Sequence, residues 1–340
     1  MATAARTEPT SVEPTSAEPT SAERPTVEQP AGERPTAGQP AVEQPAPGTR
    51  AAITVIKAGP LTVVTDLGRP GNAHLGVPRS GALDPEALRL ANRLVGNAER
   101  CAGFEVLLGG LELRAEAGVT VAVTGAPMAV WCRGEDGTRR AVGSHRAVHL
   151  RAGERLELGV PLAGLRGYLA CAGGLEVPAE LGSRSTDLLS GLGPPTVADG
   201  DRFELGAAGE VPADGGPVPV SVPPARIVVP VLLGPRDDWF ADPAAALRAT
   251  VWTVGSASNR IGLRLAGQPL VRVPERAGTE LPSEPMCPGA VQVPPSGQPV
   301  VFLADGPTTG GYPVVGVVPE AALGALAQAR PGTEVHLHPA

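Results

Sequence analysis

Residues 303–313, LADGPTTGGYP, set one carboxylate, two threonine hydroxyls, a glycine pair and one of the chain's two tyrosines behind an apolar run. That is the composition of a site loop, whose glycine pair lets the backbone approach a ligand closely or take positive φ. A structural turn needs glycine for the same reason. Three further segments combine glycine with unspent polar groups: 64–84 (VTDLGRPGNAHLGVPRSGALD), 181–193 (LGSRSTDLLSGLG) and 256–265 (SASNRIGLRL).

In the first of these, Asp66, Arg69, His74, Ser80 and Asp84 share a stretch too rich in Gly and Pro for a helix or long strand. Arg69 can clamp a carboxylate or phosphate in the fork geometry that lysine lacks, and Asp66 can orient it or move a proton. Alternatively the two pair with each other and staple the loop, while Asp84 is placed to cap a helix. Ser183, Arg184, Ser185, Thr186 and Asp187 are consecutive, so their amides and hydroxyls could cradle phosphate beside the guanidinium, or cap a turn.

Other chemistries are poorly served. Lys57 is the only lysine, which excludes a phosphate loop ending in G-K-[ST]. His145 and His149 fall in a strand-like stretch where a four-residue spacing suits no metal, and His336 and His338 stand at the chain end. No metal held by His or Cys is expected. A Mg2+ bridging an aspartate and nucleotide phosphates would leave little trace in sequence and stays open. Cys101, Cys132, Cys171 and Cys287 form no C-x-x-C pair and read as buried thiols. A net charge of -7 and no basic cluster with aromatics argue against nucleic acid. With no apolar run near the ~20 residues of a membrane span and no secretory signal, the expectation is a soluble cytoplasmic protein.

The elements that must position these groups are mainly β. Residues 8–45 repeat with a period of five (EPTSV, EPTSA, ERPTV), so 1–50 is expected to be a disordered Pro/Glu/Thr-rich tail. From residue 51, short apolar or alternating runs follow one another: 53–56, 105–108, 119–124, 147–150, 155–158, 167–172 and 203–205. Their close spacing between Gly and Pro predicts a barrel or sandwich over 51–212. One helix interrupts them, capped by Asp84, opened by Pro85, striped by Leu88, Ala91, Leu94 and Val95, and ended by Gly96. A Pro/Gly-rich linker at 213–225 leads to a second unit, 226–340. It should hold strands near 226–233, 251–254, 300–303 and 334–338, a helix within 239–250, and a last helix opened by Pro319.

Taken together, segments 64–97, 104–113, 168–193, 256–270 and 288–315 strongly resemble the biotin-dependent carboxyltransferase-like family. This family is also called allophanate hydrolase subunit 2 or KipA-like, and it includes the C component of bacterial 5-oxoprolinase. The resemblance runs in order from about Thr54 to Leu337. It implies tandem cyclophilin-like β-barrel units, a KipI-like B component and an unrelated A component of 5-oxoprolinase as partners, and ATP-dependent opening of 5-oxo-L-proline to L-glutamate. It also carries alternatives: the carboxyltransferase half of a urea carboxylase/allophanate system, meeting carboxybiotin, or a KipA-like regulatory binding protein. Its motifs match here at Asp66, Arg69, His74, Ser80, Asn92, Glu105, Arg184, Ser185, Thr186, Arg260, Gln292, Asp305, Thr309 and Tyr312. By resemblance Asp66 and Asp305 are the proton-transfer or Mg2+ residues, and the others bind substrate or phosphate. Asn259 stands where aspartate is common and Val314 where lysine is frequent.

Overall fold

The computed structural model describes residues 51–210, 218–219 and 222–340. The expected tail and most of the expected linker lie outside them. The N-terminal unit puts its alternating strands into two antiparallel sheets. One is six-stranded, in the order Arg202–Glu204, Ala52–Lys57, Glu112–Ala115, Arg155–Pro161, Met128–Arg133, Arg139–Ala141. The other is five-stranded: Leu61–Thr65, Gly103–Leu107, Arg166–Cys171, Val119–Gly125, Ala147–Leu150. Successive strand side chains point to opposite faces. Ile53, Val55, Leu113 and Leu156 of the first sheet therefore meet Val64, Phe104, Val106 and Leu169 of the second in one buried core.

The other face of the five-stranded sheet positions the site. Its cross-strand pairs are Leu61 with Leu107, Val63 with Glu105, and Glu105 with Tyr168, and Arg166 lies two residues before Tyr168 on the same face. Helix α1 (Pro85–Leu94) covers part of this face, packing Ala91 and Val95 on Ala122 and Ala170. Asp84 caps α1 by accepting from the Ala87 amide at 3.2 Å, with Pro85 in the first turn, as the sequence predicts.

The C-terminal unit is a closed seven-stranded barrel: Arg226–Leu233, Val314–Val317, Ala290–Gln292, Val300–Phe302, Gly262–Ala266, Trp252–Val254 and Glu334–Pro339. A parallel pairing of its first and last strands closes the ring, which leaves no open edge. Helices α2 (Pro243–Ala249) and α3 (Glu320–Ala327) accompany it, and Leu323 and Leu326 of α3 face inward as expected. The described residues are thus mainly β with three α-helices. Its N-terminal unit encloses its core between two sheets, whereas the C-terminal unit closes as a hydrogen-bonded barrel. Leu83 of the first unit is buried in the second unit's core and joins the two.

Candidate functional site

Arg260 is almost wholly buried where the two units meet. Its Nε donates to Asp305 Oδ2 at 2.8 Å and its Nη2 to Asp305 Oδ1 at 3.0 Å, a two-pronged pair. Its Nη1 crosses to Glu105 Oε1 at 2.6 Å, and its Nη2 also reaches the Gly81 carbonyl. Glu105 Oε2 accepts from the Tyr168 hydroxyl at 2.9 Å and the Leu83 amide at 3.0 Å. Asp305 further accepts from Ser80 Oγ and the Leu188 amide. Burial alone would raise the Glu105 pKa, but Arg260 and Arg166 overcome it and hold the carboxyl below its usual range. Burial likewise opposes the charge on Arg260, and Glu105 and Asp305 more than restore it.

Arg166 is the residue the sequence reading missed. It heads the run RGYLAC, and there a lone cation reads as a strand end. The available signal was phase: Arg166 shares its parity with Tyr168, which stands opposite Glu105. Its Nε lies 3.3 Å from Glu105 Oε1 and its Nη1 donates to the Ala327 carbonyl at the end of α3. Burial pushes the Arg166 pKa down, with Glu105 only partly opposing.

A second cluster adjoins the first, linked by Ser80 Oγ donating to the Thr186 carbonyl. Here the serine-rich segment does bind an anion, and the anion is the protein's own. Asp66 Oδ1 accepts from the Gly68 amide at 2.8 Å and from the Ser183 and Ser185 hydroxyls at 2.6 Å each, while Oδ2 accepts from the Arg184 amide at 2.7 Å. Asp66 does not pair with Arg69. Arg69 donates to the carbonyls of Glu180 and Ser185, and its Nη1 lies 3.9 Å from Asp187 Oδ2. Arg69 Nη1, Asp187 Oδ2 and Thr186 Oγ1 are buried without a hydrogen-bond partner.

The remaining expected residues scatter. Arg184 points outward, donating to the Val177 carbonyl. Asn92 uses its amide on the carbonyls of Glu99 and Cys101 and holds the loop after α1. His74 is exposed on a single helical turn. Gln292 is buried in the barrel and donates to the Tyr312 carbonyl, while Thr309 and Tyr312 are exposed. Asn259 Oδ1 accepts from the Ile261 amide, as an aspartate could, and Val314 is buried in an apolar cluster.

A cavity of about 250 Å3 opens beside the first cluster. Leu61, Val63, Leu107 and Leu165 form apolar walls, Glu105, Arg166 and Arg260 form the polar side, and Ser256, Ser258 and Asn259 contribute from the barrel. A larger groove of about 750 Å3 runs between α1 and α3, past Asp84, Arg89 and Gln328. Burial raises the Asp84 pKa there, with Gln328 and the Ala87 amide opposing. Volume favours the groove, but the convergent charged groups favour the smaller cavity, where side chains from both units meet. Among the described residues no three His, Cys, Asp or Glu side chains gather to hold a metal ion. Nor is any helix among the described residues long and apolar enough to cross a membrane. Cys132 and Cys171 are buried, their thiols pushed by burial to about 11 and about 12, whereas Cys287 is exposed, contrary to expectation, on the turn before Ala290–Gln292.

Residues 75–339 match the model of the carboxyltransferase domain, subdomain A and B. The chain is 40% identical over 289 residues to the C component of 5-oxoprolinase from Escherichia coli (strain K12), covering 84% of this chain and 90% of that protein. It is 31% identical over 317 residues to urea amidolyase of Lachancea kluyveri, covering 85% of this chain and 17% of that protein. Among solved structures, TTHA0988 superposes with a TM-score of 0.76 at 35% identity, covering 90% of this chain and 60% of that one. The urea carboxylase of Kluyveromyces lactis gives 0.75 at 28% identity, covering 85% and 27% respectively.

Proposed function

The chain belongs to the carboxyltransferase-domain family, subdomains A and B, and from that premise we propose that it is the C component of an ATP-dependent 5-oxoprolinase. It acts with a KipI-like B component and an A component to hydrolyse 5-oxo-L-proline to L-glutamate, and the need for ATP makes the cytoplasm its compartment. The observation that carries this reading is the cavity between the units, where two buried arginines and an ionised glutamate meet apolar walls. A lactam carbonyl is a poor electrophile. Transfer of the γ-phosphoryl group of ATP to its oxygen, with release of ADP, would ready the carbon for water, after which the C–N bond breaks and the phosphoryl group leaves as inorganic phosphate. The cavity is smaller than the ~300 Å3 at which sites for drug-sized ligands begin. It suits a five-membered lactam, and a whole nucleotide would extend beyond it toward a partner protein.

Asp66 and Asp305 spend their oxygens on holding loops, so we assign them positioning roles. Ser256 and Asn259 remain available to hydrogen-bond the lactam. Mg2+ would enter with the nucleotide. Carboxyl transfer from carboxybiotin ranks second, since the urea amidolyase relatives are less similar and this chain spans 17% of one of them.

The test mixes the chain with its co-encoded partners and follows ATP consumption and glutamate release with and without 5-oxo-L-proline, for wild type and Asn259→Ala. Substrate-stimulated turnover, weakened in the variant, supports the assignment. A complex that assembles but whose ATP consumption ignores 5-oxo-L-proline sinks it and makes carboxybiotin transfer the next assay.

A further inference from the structure

Two guanidinium groups line the cavity between the units, and their commitments differ. Arg260 uses all three nitrogens, facing Asp305 with two and Glu105 with the third. Arg166 uses two: Nη1 is spent on the Ala327 carbonyl, and Nε shares Glu105 Oε1 at 3.3 Å with an Arg260 nitrogen that sits closer, at 2.6 Å. Its Nη2 has no hydrogen-bond partner among the described residues and is not one of the fully buried unpaired atoms. The Arg166 side chain keeps 7% exposure, and it is a cavity-lining residue. Its positive charge is therefore the less compensated of the two, and the downward pressure of burial on its pKa points the same way.

We propose that Arg166 is a specificity-determining residue that binds the carboxylate of a small cyclic amide, whose ring carbons lie against Leu61, Val63, Leu107 and Leu165. This deepens the 5-oxoprolinase reading and rests on it for the identity of the amide. It separates a carboxylated lactam from urea, which has no carboxylate to offer. Leu165 and Arg166 both give their amides to Gln328 Oε1, so a barrel-side side chain fixes the strand start that carries the guanidinium.

Titration calorimetry on the assembled complex compares 5-oxo-L-proline with pyrrolidin-2-one, the same ring without the carboxylate. In wild type the acid should bind more tightly than the neutral ring. Arg166→Gln should weaken the acid by about 10- to 100-fold, the worth of a charged hydrogen bond, and leave the neutral ring unchanged. Arg166→Lys should restore part of the difference. Should both variants fail to fold, Ser258→Asp keeps an acceptor for the Arg264 amide and places a negative charge at the cavity. It should weaken the acid alone.

Equal losses for both ligands would reduce Arg166 to a staple on Ala327 and overturn the proposal. So would a wild type that does not prefer the acid, or an acid preference that survives Ser258→Asp when the Arg166 variants do not fold. A complex that binds the acid through Arg166 yet releases no glutamate would leave the anion site standing and remove the hydrolase reading instead.

Discussion

Glu105 lies between two buried guanidiniums, and its pKa is held below 4.5 because their attraction exceeds the penalty of burial. A carboxyl whose folded pKa lies below its unfolded value stabilises the fold above the unfolded pKa, and that contribution fades as pH falls through the folded one. Glu105→Gln should therefore cost about 3 to 5 kcal/mol at neutral pH, as expected when one partner of a buried ion pair is removed. The deficit should shrink between neutral pH and acid pH below the usual glutamate range, as the wild type surrenders the same charge. Denaturant unfolding at both pH values checks this, and a deficit independent of pH would mean the charge itself matters little. Asp66 calls for a different outcome. Asp66→Asn sets an amide group against donors that now point at carboxylate oxygens, at a cost of about 1 to 3 kcal/mol. Its melting temperature should fall while the folded fraction keeps its kcat; a proton-transferring residue would show the reverse, with kcat collapsing at unchanged stability.

At the scale of elements, Gly68 and Gly81 let the two limbs of the 66–84 loop touch. Both have positive φ, and a Cβ on Gly81 would sit 2.8 Å from the Gly68 nitrogen, with backbone on every near side. Gly81→Ala should destabilise by about 1 to 3 kcal/mol, and because the Gly81 carbonyl accepts from Arg260 it should also loosen ligand binding at the cavity. An alanine variant matching wild type in denaturation midpoint and affinity would show that the loop relaxes freely. That these loops come together was legible in part: glycine beside unspent polar groups marks all four segments, and Ser80 Oγ, the Arg260 guanidinium and the Leu188 backbone amide meet Asp305, one group from each. Helix α1 was legible too, because Asp84, Pro85 and the apolar stripe are local signals. Strands Leu61–Thr65, Met128–Arg133 and Gly262–Ala266 were not, being short runs whose identity comes from partners elsewhere in the chain. The serine-rich segment reads in sequence as either a phosphate cradle or a turn cap; the carboxylate its hydroxyls hold is that of Asp66, more than a hundred residues away, and local sequence carries no trace of that pairing. Arg166 was hidden for the same reason: only the register with Glu105 reveals its face.

On the scale of the whole molecule, the two units share charges that neither can satisfy alone. Arg260 and Asp305 belong to the barrel, while Glu105, Ser80 and the Gly81 carbonyl belong to the N-terminal unit. Gln328, after α3, accepts from the Leu165 and Arg166 amides and donates to Asp84. Separating the units would leave an arginine and two carboxylates to be rehydrated together, so each half loses more than apolar contact. The described residues should therefore unfold in one calorimetric transition whose van't Hoff and calorimetric enthalpies agree. Gln328→Ala strips two buried amides of their acceptor at about 1 to 3 kcal/mol for each unpaired group, and should lower that single transition without splitting it. Two resolved transitions in the wild type would mean that the interface contributes little, and the cavity between the units would then be a hinge that opens instead of a preorganised site.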